Sequence, residues 1–326
     1  MFLASPLDMG NIPGGSSSPS SWESDRQGNV SASRLWMGTA VLRGAESLRP
    51  PEDRLFHDPV SLALLPWGWR LFLRGLQALG LTDRVLQLRE RRFPGVVGNL
   101  LCRTRAIDDI LWDQLAEGLD QVALLGAGFD TRAYRTPGIE GVKVFEADEH
   151  ETQADKRKRL KKALGDPPEH VRFVPVDFRN QDLGQRMVEA GFQRGVRTFF
   201  IWEGVTQYLD PDAVDSVFRW VAGSGGAGSA LVFTYIKEGV ILGPGRSSGD
   251  ESLMKLAEKN GAPWIFGIDP SGLGAFLSRR GFHLVKELGA ETYLDRYLRP
   301  AGRELAALEA ERVALAELEA PGRPRV

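Results

Sequence analysis

A single cysteine, Cys102, among 326 residues leaves no partner for an intramolecular disulfide and no thiol cluster for zinc, which fits a reducing compartment. In its apolar setting that thiol reads as packing, not as a nucleophile. The chain also lacks any excess of positive charge. Its 41 Lys and Arg against 43 Asp and Glu give a formal net charge of −2, too little attraction for a dedicated binder of the phosphate backbone. No stretch reaches the roughly 18 consecutive apolar residues of a membrane helix, and the first residues lack the basic region and long apolar core of a secretion signal. Histidine is sparse: His57, His150, His170 and His283 lie scattered. Nucleic acid and membrane therefore drop out as expected partners, and a soluble cytoplasmic protein working on small molecules or on proteins is expected.

What is abundant is ordered along the chain. Residues 1–30 are rich in Ser, Gly and Pro, a composition that cannot bury enough surface to offset its ordering entropy, and a mobile tail is expected there. From 31 to 118 apolar residues recur at spacings of three and four, as in Leu73, Leu76, Leu79 and in Ile107, Ile110, Leu111, which predicts a helical region. From 119 onward, short apolar runs at Gln121–Leu125, Val142–Phe145, Val171–Val176, Thr198–Trp202 and Ala230–Ile236 alternate with longer polar segments. That rhythm predicts an α/β unit, a parallel sheet with helices on both faces, spanning residues 31–326 with the helical region. The basic run from Lys156 to Lys162 reads as the solvated face of a helix, because acidic neighbours balance it. Residues 237–268 break the rhythm around Gly243–Gly249 and read as a long irregular, lid-like insertion that carries specificity. Asp269 and Pro270 can open a helix towards Arg280, with a strand after it. Arg312–Leu318 has helical composition yet alternates as a strand does, and local propensity leaves both readings open.

The chemistry concentrates where the first apolar run breaks. Gly126 and Gly128 make a tight turn that lets the backbone approach a ligand and exposes the amides that follow. The dinucleotide fingerprint would place a third glycine near Thr131, so NAD is disfavoured. Twenty residues on, Glu146 and Asp148 stand at the end of the second predicted strand, where an acid accepts hydrogen bonds from ribose hydroxyls; Asp148, nearer the strand's carboxyl end, is the better candidate. After the third, Asp177 and Phe178 suit an adenine amino group and ring, although Asp177 also suits a helix N-cap.

The segment Leu125-Gly-Ala-Gly-Phe-Asp-Thr-Arg-Ala-Tyr-Arg135 closely resembles the GAGxDTRxYR signature of the leucine carboxyl methyltransferase family. Phe145-Glu-Ala-Asp148, Phe173-Val-Pro-Val-Asp177 and Trp202-Glu-Gly-Val-Thr-Gln-Tyr208 resemble its later blocks in order, and Leu101-Cys-Arg-Thr-Arg105 with Asp108 and Asp109 its helical N-terminal block. The resemblance implies a Rossmann-like sheet of seven mostly parallel strands, the last of them an antiparallel strand at Arg312–Leu318. It implies S-adenosyl-L-methionine as cofactor. By position, Arg103 resembles the arginine that grips the methionine carboxylate, with Arg105 as its alternative. Gly126 and Gly128 match the cofactor turn, Asp148 the ribose acid, Asp177 and Phe178 the adenine end, and Glu203 the glutamate near the methionine amino group. Tyr208, on the same loop as Glu203, is the candidate catalytic residue facing the acceptor, with an ordinary core ring as the alternative. A basic residue in the family's N-terminal helix has Arg34 and Arg43 nearby.

Methyl transfer from a sulfonium is an in-line displacement that needs alignment and no metal. A carboxylate acceptor is already ionised at neutral pH and needs no general base, whereas an alcohol does. With no histidine in the motif loops except His150, the expectation is O-methylation of a carboxylate, or a hydroxyl, on a small-molecule acceptor such as a secondary metabolite. Two alternatives stand beside it: methylation of a protein C-terminal carboxylate, which predicts an open groove, and a cofactor-binding regulatory protein without turnover.

Overall fold

Side-chain parity in the first strand sets the layers. In β1 (Gln121–Leu125) every residue is buried, yet Val122 and Leu124 enter one apolar cluster while Ala123 and Leu125 enter another. A strand with two apolar faces must be covered on both. The computed structural model describes residues 30–319 except Pro244, Gly245, Ser247 and Asn260, so the tail expected over residues 1–30 lies, up to residue 29, outside the described residues.

Among the described residues seven strands form one sheet in the order β3-β2-β1-β4-β5-β7-β6. They are β1, β2 (Lys143–Asp148), β3 (Val171–Pro175), β4 (Thr198–Trp202), β5 (Ala230–Ile236), β6 (Phe282–Leu288) and β7 (Glu311–Leu318). The first five pair in parallel, and β7 runs antiparallel between β5 and β6. The open choice at the C-terminus thus resolves as a strand. Val313 and Leu315 pack on one face and Ala314 and Ala316 on the other, so pairing along both edges overrides the helical propensity of the segment. The Rossmann-like α/β fold expected from the sequence is the fold observed.

The N-terminal region holds α1 (Val30–Ser47), α2 (Pro59–Leu64), α3 (Trp67–Ala78), α4 (Thr82–Arg92) and α5 (Val96–Ala116); α5, with Leu42 of α1 and Leu86 of α4, packs on one face of the sheet, while α3 packs on α1. α2 begins where the Asp58 carboxylate accepts from the Ser61 amide at 2.8 Å, with Pro59 in the first turn, where its missing N–H costs nothing. The core continues with α6 (Arg132–Arg135), α7 (His150–Leu164), α8 (Leu183–Glu189) and α9 (Pro211–Ser224). Two expectations need correction. In α7 the basic run is solvated except for Lys156, which is wholly buried because its ammonium pairs at 2.8 Å with the equally buried Glu146 of β2. The segment after β5 is not irregular throughout: it holds α10 (Glu238–Leu242) and α11 (Ser248–Lys259), since its apolar residues recur at helical spacing around the glycine-rich break. No helix among the described residues is long and apolar enough to cross a membrane.

Candidate active site

In an open parallel sheet a crevice forms beyond the strands' carboxyl ends where chain order reverses, and here that point is the β1–β4 boundary. A cavity of about 650 Å³ opens there. All eight residues singled out from the sequence, Arg103, Gly126, Gly128, Asp148, Asp177, Phe178, Glu203 and Tyr208, line it. Arg105, the alternative to Arg103, does not: its guanidinium bonds Asp109 at 2.7 Å and the Leu55 carbonyl at 2.6 Å.

The turn after β1 requires glycine for two reasons. Gly126 has φ +68°, and a Cβ on it would sit 2.4 Å from Val205 Cγ2. The chain then passes Ala127, and the Gly128 amide donates to Asp148 Oδ2 while the Glu149 amide donates to Oδ1 at 2.6 Å. Two of the roughly four acceptor sites of that carboxylate are thereby used. Burial pushes the Asp148 carboxyl up to about 6, more than these amides lower it. Glu146, two residues earlier, is taken up by Lys156 and does not reach the cavity. Asp177 caps no helix: its oxygens accept from the Arg179 amide at 2.9 Å and the Asn180 side chain at 2.7 Å, and α8 is capped instead by Asp182.

Arg103 projects from α5 between two glutamates. Its Nε donates to Glu203 Oε1 at 2.7 Å, and its Nη1 donates to both oxygens of Glu311 at 2.7 and 2.8 Å. Both terminal nitrogens lie beside Gly204, and Arg103 lines the cavity. Glu203 in turn accepts from Arg132 Nη1 at 2.7 Å. Burial alone would raise its carboxyl pKa, but the guanidiniums of Arg132 and Arg103 outweigh burial and hold it below the usual carboxylate range. Arg132 is 1 % exposed and also donates to Asp108 at 2.7 Å and to Asp130. Arg135 bonds both oxygens of Asp108, at 2.8 and 2.9 Å, and the Thr131 hydroxyl donates to Asp58 at 2.7 Å. The position where a dinucleotide site would need glycine is therefore filled by a threonine that ties the turn to α2.

Sequence reasoning assigned no role to Arg132, Asp108 or Glu311. Asp108 carried a signal: it stands one helical turn after Thr104 within the buried stripe of α5, where a carboxylate is tolerated only if paired. Glu311 carried none locally. It reaches the site because β7 is antiparallel, so that its first residue lies level with Ile236, the last residue of β5.

Further parts of the wall come from α1, through Thr39 and Arg43, and from Gly261–Ile265, the stretch after α11. Arg43 is buried and donates to the Phe129 carbonyl beside Asp58. The Ile265 amide donates to the Gln207 carbonyl at 2.8 Å, tying that stretch to the short helical turn Thr206–Tyr208. Burial raises the Tyr208 phenol above its ordinary pKa, and the hydroxyl lies beside Trp264 and Gln207. Among the described residues no histidine lines the cavity, and no cluster of potential metal ligands is present.

Comparison with known proteins accords with this geometry. The family model for leucine carboxyl methyltransferase matches residues 36–222. A protein of Frankia alni, provisionally named an S-adenosyl-L-methionine-dependent methyltransferase, is 34% identical over 220 residues, 67% of this chain and 74% of its own. A Streptomyces avermitilis protein with the same provisional name is 31% identical over 250 residues, 74% of this chain and 85% of its own. Among solved structures, a methyltransferase-like protein of Thermobifida fusca shares the fold with a TM-score of 0.53 at 13% identity, over 86% of this chain and 94% of that one. The chain belongs to the leucine carboxyl methyltransferase family, related to the S-adenosyl-L-methionine-dependent methyltransferases.

Proposed function

We propose that this protein transfers the methyl group of S-adenosyl-L-methionine to an oxygen, by preference a carboxylate oxygen, of a small-molecule acceptor. The observation that carries the reading is the convergence of Arg103, Gly126, Asp148, Glu203 and Tyr208 on one cavity that no described histidine lines. The donor set fits the cofactor. Nη2 of Arg103 offers two N–H groups to a carboxylate, Asp148 keeps acceptor sites for ribose hydroxyls, and Gly126 leaves the backbone bare beside them.

When bound, the cofactor supplies an electrophilic methyl group on a sulfonium. The chain's task is then alignment and exclusion of water. Glu203, held by Arg103 and Arg132, presents a fixed anion to the amino group. Phe178 packs beside the base, and Asp177 accepts from its amino group. Tyr208, kept protonated by burial, donates to the acceptor and does not take its proton. A carboxylate, already ionised, attacks without a base. The walls contributed by α1 and by Gly261–Ile265 favour a small acceptor over a protein tail, which needs an open groove. The test is incubation with methyl-labelled cofactor and panels of carboxylic acids and of phenols and alcohols. A carboxyl ester releases labelled methanol in mild base and an ether does not. Base-stable label on the phenols and alcohols alone would contradict the carboxylate reading.

Asp148 adds a pH signature. Ribose hydroxyls donate to the ionised carboxylate, so binding lowers a carboxyl pKa that burial has raised to about 6. Affinity for S-adenosylhomocysteine is expected to rise about tenfold from about pH 5 to about pH 7.5, and Asp148→Asn to abolish that slope, as calorimetry at several pH values will read. The free protein shifts oppositely. A carboxyl whose folded pKa is raised favours folding fully below its unfolded value, and that contribution is lost as pH rises through about 6.

A further inference from the structure

α3 and its C-cap residue Leu79 turn several large apolar side chains outward. Trp67 is 73% exposed, Leu71 63%, Phe72 50% and Leu79 72%, and at about 100° per residue they share one arc with Ala78 and Arg74, with Arg70 at its edge. The opposite side of the helix is already satisfied: Leu73 and Trp69 pack on Ala40, Val41 and Ala45 of α1. The outward arc is therefore a second apolar face, larger than scattered surface residues require.

Charge decides what covers it. From Pro59 to Thr82 the sequence has no Asp or Glu, and the nearest acids beyond are engaged elsewhere. Asp83 pairs with Arg49 and Arg303, and Glu90 accepts from the Gly95 and Ala306 amides. A two-fold contact between copies would bury this face against itself and give its arginines no carboxylate. A layer of anionic headgroups supplies the missing charge, and the acyl boundary beneath takes the tryptophan, phenylalanine and leucines. Twelve residues span about 18 Å, short of the roughly 30 Å hydrocarbon core, so the helix lies in the interface plane.

We propose that α3 is a docking surface for an anionic lipid bilayer, with Trp67, Leu71, Phe72 and Leu79 inserted and Arg70 and Arg74 at the headgroups. For peripheral contact this revises the expectation that the chain has no membrane partner. α1 lies between α3 and the cavity, sending Ala40, Val41 and Ala45 to the helix and Thr39 and Arg43 to the cavity. The bound protein therefore holds its cavity about one helix diameter from the lipid surface. The proposal is independent of the cofactor assignment.

Flotation of the full chain with vesicles of phosphatidylglycerol and phosphatidylcholine tests it. The protein is expected to rise with these vesicles, to stay behind with phosphatidylcholine alone, and to be released by high salt. Arg70→Gln with Arg74→Gln should weaken partition by about 30-fold. Leu71→Ser with Leu79→Ser should abolish it, with Tm and S-adenosylhomocysteine affinity unchanged because both side chains are exposed. Three results would overturn the proposal: no flotation with anionic vesicles, flotation that these variants leave intact, or a concentration-dependent dimer in sedimentation that Leu71→Ser with Leu79→Ser disperses.

Discussion

Replacing Arg132 by alanine is expected to cost the fold about 3–5 kcal/mol and to lower Tm by about 10 °C. Its guanidinium is 1 % exposed and joins Asp108 of α5, Asp130 of the glycine turn and Glu203 of the β4 loop, so its removal takes the paired cation from Asp130 and leaves Asp108 to Arg135 and Glu203 to Arg103 alone. An uncompensated buried charge costs more than the pair ever contributed. Arg105→Ala is the control. It removes an arginine of the same helix as Asp108, but from a pair in which the side chains are 33% and 21% exposed, and the expected loss stays within about 1 kcal/mol. Thermal and urea unfolding of both variants measure the contrast, and equal losses would show that the network around Arg132 does not hold the turn.

Arg103→Lys is expected to weaken S-adenosylhomocysteine binding by about 100-fold while the protein stays folded. An ammonium retains the charge between Glu203 and Glu311 but has no planar fork, so it cannot serve both glutamates and also present paired donors to a third carboxylate. Lysine is a cleaner choice than alanine. From the sequence, Arg103→Ala should harm binding far more than melting temperature. In the structure alanine would leave Glu311 without its paired cation and Glu203 with Arg132 alone, so stability is expected to fall along with affinity. Calorimetry with S-adenosylhomocysteine, beside a melting curve, reads both quantities, and unchanged affinity in Arg103→Lys would remove the arginine from the cofactor site.

The strands and the cavity lining were legible for a physical reason. Buried parallel strands read as short apolar runs, and the residues that line a crevice at their carboxyl ends follow those runs directly, as Gly126, Asp148, Asp177 and Glu203 do. What stayed hidden is long-range pairing. Glu311 meets Arg103 across 208 positions, and Lys156 looks like its solvated neighbours until Glu146 is seen beneath it. Periodicity reports which face of an element is apolar, but it does not say which buried charge meets which. Arg312–Leu318 shows the converse, because edge pairing on both sides decided a segment whose local composition favours helix.

A crystal structure with S-adenosylhomocysteine bound tests the central claim most directly. The account predicts both ribose hydroxyls within hydrogen-bonding distance of Asp148, the amino-acid carboxylate on Nη2 of Arg103, and the sulfur directed towards Tyr208. Ligand bound outside the cavity beside Gly126, or bound within it with Arg103 and Asp148 making no contact, would contradict the account.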